Sequence, residues 1–159
     1  MELFLYQIIN HVKEGMPGLS LVDENYGQLE NIDQSDTDMY PVTFPAVLID
    51  LQEASWSNLE GKSQKGTVKV NVQLLIDCYD DTHYTSGTYN KVRERQLKAK
   101  ELYKALQEFQ CTEETSPLVR VKSRDYSLPG NIKVYETVYS FTLHDESAMQ
   151  EGAARFILP

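Results

Sequence analysis

The chain has 159 residues, 41% hydrophobic and 25% charged, with a formal net charge of −9. These fractions are ordinary for a globular protein, and the length suits one domain whose core needs neither disulfides nor a structural metal. The acidic balance weighs against sequence-specific nucleic-acid binding, which draws on clustered Lys and Arg, and no apolar run nears the roughly 20 residues that span a bilayer.

The first element is a helix over Glu2 to Lys13, where Leu3, Phe4, Tyr6, Ile8, Ile9 and Val12 form a broad apolar stripe and the Gly15, Met16, Pro17, Gly18 run supplies the stop. No basic residue precedes those apolar positions, so a signal peptide is not expected and the cytoplasm is. From Leu19 to Pro45 the chain carries Asp23, Glu24, Glu30, Asp33, Asp36 and Asp38 with no Lys or Arg, a composition that predicts a long exposed acidic arm. Leu19, Leu21, Tyr26, Leu29 and Ile32 suffice within it for a short strand or docking contacts.

Phe44 to Glu53 reads as a strand, with Val47, Ile49 and Leu51 on one face. Its expected partner is Thr67 to Tyr79, in which Val68, Val70, Val72, Leu74, Ile76 and Cys78 alternate with polar Lys69, Asn71 and Gln73, and only Leu75 breaks the pattern. One buried and one half-wet face point to an antiparallel sheet. The connection Ala54 to Gly66 is too long and polar for a tight hairpin and is expected to project as a loop or extended ribbon. Trp56 lies on it, either as an interface anchor or folded back over the sheet edge.

A turn at Asp80 to Gly87 leads to the longest helix, Thr88 to Gln110. Val92, Ala99, Leu102, Tyr103, Leu106 and Phe109 mark its inner stripe, and its Lys and Arg residues a solvated face. Leu118 to Tyr126 and Asn131 to Asp145 are two further strands around a Pro129, Gly130 turn. Glu146 to Pro159 is expected as a flexible tail with an apolar tip at Phe156 and Ile157.

Together these elements predict a single α+β domain over residues 1–145. Its sheet is expected to be antiparallel and four-stranded, or slightly larger, with two helices packed on one face, in the order α-β-β-α-β-β.

No catalytic or cofactor signature accompanies this pattern. Asp77, Asp80, Asp81 and His83 have a ligand-like look, but their spacing matches neither a calcium loop nor a zinc site, and turn and cap chemistry explains them. His11 and His144 lack a nucleophile elbow nearby. Glu136, alone on its strand, suits an ion pair between strands or subunits better than acid–base work. Cys78 and Cys111 are expected as reduced, partly buried thiols. No enzyme activity, cofactor or metal is expected.

The amino-terminal helix, FPAVLIDLQEASW feeding a long connection into VKVNVQLLIDCYDDT, the helix ending ELYKALQEF and the closing VYETVYSFTL resemble the tail terminator, or tail-completion, proteins of long-tailed bacteriophages. The resemblance covers most of residues 1–145. It implies a non-enzymatic virion assembly protein, made in the bacterial host's cytoplasm and residing in the virion tail. Such a protein forms a homo-oligomeric ring, often a hexamer, that caps the tail tube and meets the head connector. On that basis Trp56, Leu59, Lys62, Lys65, Tyr26, Leu29, Phe156 and Ile157 become candidate contacts with neighbouring subunits or the tube. The alternative is a ferredoxin-like module that binds a small molecule or regulates through its sheet face.

Overall fold

The computed structural model describes residues 3–29, 42–78 and 85–149. Helix α1 (Phe4–Gly15) precedes strands β1 (Leu21–Glu24), β2 (Ala46–Asn58) and β3 (Gln64–Asp77), and helix α2 (Asn90–Leu106) precedes β4 (Val119–Leu128) and β5 (Ile132–Asp145). All five strands form one sheet in the order β1-β2-β3-β5-β4. Strands β2, β3, β5 and β4 pair antiparallel in turn, whereas β1 lies parallel to β2.

This arrangement corrects the expected four-stranded antiparallel sheet and its α-β-β-α-β-β order: three strands, not two, stand between the helices, and the sheet is mixed. The extra strand comes from the acidic segment. Leu21 and Val22 point to opposite sheet faces and pack into the apolar clusters there, while Asp23 and Glu24 hide that contribution in the sequence. More than a dozen residues separate β1 from β2, the length a parallel return requires.

The alternation read from β3 sets the main core. Val68, Val70, Val72 and Leu74 bury against Val47 and Ile49 of β2 and Tyr139 and Phe141 of β5 on one face. Both helices contribute to that same cluster, α1 through Phe4, Ile8 and Val12, and α2 through Leu102 and Leu106. Phe4 meets Phe141 edge to face, with centroids 5.6 Å apart. Fully burying such aliphatic or aromatic side chains contributes about 1.5–3 kcal/mol each, so this face anchors both helices. Leu75, which breaks the alternation, centres a smaller apolar cluster on the opposite face with Ala46, Leu48, Ile132 and Val134.

Helix α2 stops earlier than its apolar stripe suggests. Gln107 turns extended and Glu108 takes φ 67°, which folds Phe109 back beneath α1. There the His11 ring stacks on Phe109 at 3.8 Å, and its Nε2 lies 2.7 Å from the Ala105 carbonyl. His11 thus ties the two helices together.

Candidate functional site

Residues 54–66 are the far ends of β2 and β3, closed by a 3-10 turn at Glu60–Lys62. Cross-strand pairing continues from Ala54↔Val68 to Asn58↔Gln64, and β5 flanks β3 along its entire length. The result is a three-stranded extension whose tip carries Trp56, Leu59, Lys62 and Lys65 on exposed positions. Gly61 and Lys62, with φ 71° and 67°, make the tight reversal.

Trp56 pairs directly with Gly66, and its ring lies over the glycine backbone so closely that a Cβ there would stand 2.6 Å from a ring carbon. The ring is still 37% exposed. Trp56 is therefore folded back over the backbone of its strand partner, with part of its surface left exposed.

Tyr26 and Leu29 occupy a different region. They follow β1, where Asn25 Oδ1 accepts from the Gly27 N–H and the buried Gln28 side chain donates to the Glu24 carbonyl, fixing a compact turn. Tyr26 is exposed, but Leu29 packs against the Ala46, Leu48 and Leu75 cluster and belongs to the core margin. From Leu48 to Trp56 the strand runs roughly 26 Å, so the two groups of candidate contacts are not brought together. Phe156 and Ile157, with the expected tail from 150 onward, lie outside the described residues, as do Asp80, Asp81 and His83.

The helix-free face of the sheet holds a polar network that sequence reasoning identified only through Glu136. Arg124 pairs with Glu136 across β4 and β5, with Nε donating to Oε1 at 2.7 Å. Gln73 donates to the other carboxylate oxygen at 2.8 Å, Tyr126 donates its hydroxyl to the same atom at 3.2 Å, and Asn25 donates to Gln73 Oε1 at 3.1 Å. Burial pushes the Glu136 carboxyl upwards, but these hydrogen bonds and the Arg124 charge outweigh it and hold the pKa below its ordinary value. The signal for the network was present as polar Asn71, Gln73, Arg124 and Glu136 at alternate strand positions, but their cross-strand register was not legible.

Asp50 sits beside this network under different conditions. Burial raises its pKa, the charges of Glu136 and Glu24 add to the rise, and a hydrogen bond from Asn71 offsets part of it. Its Oδ1 and the Oδ1 of Asn71 are buried acceptors with no donor among the described groups. Beside them the helix-free face carries a half-open hollow lined by Lys69, Lys122, Arg124, Glu136, Val138 and Ser140. Of its ionisable side chains Arg124 and Glu136 neutralise each other and Lys69 pairs with Glu53, while Lys122 has no ion-pair partner among the described residues.

Among the described residues no three His, Cys, Asp or Glu side chains gather as a metal site would need, and no helix is long and apolar enough to cross a membrane. Cys78 and Cys111 are free, and burial pushes the Cys111 thiol up to about 11. The most exposed element is β4, where residues 119–125 all face solvent and Val119 and Val121 show apolar surface.

No family model matches the chain, and no curated protein sequence matches it either. Among solved structures it is similar to a chain from the virion of a native gene transfer agent particle. The TM-score is 0.51 and the identity 9%, covering 89% of this chain and 92% of that one. At that identity the likeness establishes a shared fold.

Proposed function

We propose that this chain is a non-enzymatic structural component of a phage or phage-like virion. In this reading it works as a ring of identical copies at the end of a tail tube, where it ends the tube and joins it to the head connector. The observation that carries the reading is the fold shared with a gene transfer agent virion chain over nearly the whole of both chains. A long three-stranded extension and a ten-residue outer strand, both open to solvent, support it, because such edges lend themselves to contact with other chains. A ring partner explains these exposed edges more simply than a substrate does, and the Arg124–Glu136 pair on the helix-free face is already engaged within the chain.

The ferredoxin-like alternative loses support from the element order. That module runs β-α-β-β-α-β, whereas this chain opens with a helix and places three consecutive strands before the second one.

Mass measurement at high protein concentration, alone and with purified tail tubes of the same particle, tests the proposal. A discrete ring, or saturable binding at tube ends, is expected. A strict monomer inert to tubes contradicts it.

A further inference from the structure

The two outer edges of the sheet carry opposite charge. On the β1–β2 side the chain has no Lys or Arg from Leu19 through Gly61, and the strands there carry Asp23, Glu24 and Glu53. On the other side β4 carries Arg120, Lys122 and Arg124 against Asp125 alone. A basic edge runs against a formal net charge of −9.

Both edges are open among the described residues. β1 covers β2 only from Ala46 to Ile49, so from Asp50 to Asn58 the outer side of β2 has no strand beside it among the described residues. β4 is the last strand on its side. Lys122 has no ion-pair partner among the described residues. Arg124 and Glu53 each pair within the chain, but their side chains remain 62% and 63% exposed. Arg120 lies 3.9 Å over the Tyr103 ring, which fixes its position at the edge.

Charges on edge strands commonly serve to keep sheets apart. Like charge on both edges achieves that. Opposite charge does something else: it repels β4 from β4 and the acidic edge from itself, and attracts each to the other. A two-fold contact places like edges together, whereas a head-to-tail contact places unlike ones together and generates a ring when its rotation closes.

We propose that copies of this chain associate head to tail, with Arg120, Lys122 and Arg124 of one copy seated against Asp23, Glu24 and Glu53 of the next. The inference rests on the ring reading above and specifies its interface. Val119 and Val121 add apolar area beside the basic residues. Because all of these charges except the half-buried Asp23 are exposed, the contact weakens as ionic strength rises.

Charge-swap variants of the full chain test it, with assembly measured by sedimentation at low salt, alone and with tail tubes, and folding checked by circular dichroism and melting. The Arg120→Glu, Lys122→Glu pair and the Glu24→Lys, Glu53→Lys pair each raise the concentration needed for assembly by about tenfold or more. The chain carrying all four changes regains it, because its edges again attract. Should a reversed pair fail to fold, Arg120→Gln with Lys122→Gln gives the same weakening with a smaller perturbation. Folded variants that assemble like wild type, or a folded four-fold variant that does not recover, overturn this interface while a wild-type ring leaves the ring reading standing. Loss of tube binding with the ring intact also overturns it, since the β4 edge then faces another protein. A wild-type chain that neither assembles nor binds tubes removes both.

Discussion

Trp56 packs its ring over Gly66, its strand partner, with ring carbons 2.6–3.0 Å from where a Cβ would stand. The Trp56 ring buries the Gly66 backbone in the β2–β3 extension, most of whose other side chains are polar or charged. A glycine in a strand has no side chain to pack, and the neighbouring aromatic supplies the missing cover.

Gly66→Ala forces the Trp56 ring outward, because ring atoms stand within 3.0 Å of the added carbon. Trp56 is the single tryptophan, so emission reports this pair alone. A red-shifted emission maximum and a loss of about 1 kcal/mol on denaturant unfolding are expected. Unchanged emission contradicts the packing.

Ile8 is fully buried where α1 meets the sheet. Ile8→Ala removes three heavy atoms from a closed core and is expected to cost about 2–5 kcal/mol, measured as a fall in the denaturation midpoint with an unchanged slope. Tyr6, two residues earlier and therefore on the opposite side of the helix, is 63% exposed and tolerates alanine with a change within about 0.5 kcal/mol.

Glu136 and Asp50 titrate in opposite senses. The Glu136 pKa is lowered, so its stabilising contribution is complete above the ordinary glutamate range and is lost as pH falls through the folded value. Glu136→Gln therefore destabilises at pH 7, and the difference from wild type narrows in acid. The Asp50 pKa is raised, so its contribution is complete below the ordinary aspartate range and is lost as pH rises through the folded value. Asp50→Asn raises the melting temperature at pH 7, and the gain shrinks on acidification. Melting curves of both variants from pH 7 to pH 3 check both signs.

The Cys111 thiol, held by burial near 11, is almost entirely protonated at neutral pH. Since the thiolate is the reactive form, Cys111 is expected to react with a disulfide reagent much more slowly in the folded chain than after denaturation. Peptide mapping of the labelled protein measures its rate separately from that of Cys78.

Elements governed by local periodicity were legible in the sequence. The β3 alternation identified its buried face, and of the α1 and α2 stripes Phe4, Ile8, Val12, Leu102 and Leu106 cover it while Leu3 and Tyr6 stay exposed. What escaped was set by partners distant in sequence. The sequence allows a short strand in the acidic segment, but its parallel place beside β2 depends on pairing with Ala46–Ile49. The end of α2 depends on Glu108 adopting a left-handed conformation so that Phe109 reaches His11, a contact between residues nearly a hundred positions apart. Of the candidate contacts, Trp56, Leu59, Lys62 and Lys65 gather because one ribbon carries them. Leu29 was misleading, since an apolar residue in an acidic segment looks like a docking point until its core neighbours are known.

The central claim is that this chain ends a tail tube as a ring of its own copies. Electron microscopy of tail tubes growing in the presence of the purified protein tests that most directly. The account predicts arrested elongation, with a ring-shaped density at one end of each tube. Tubes that lengthen as freely as in its absence, with bare ends, contradict it.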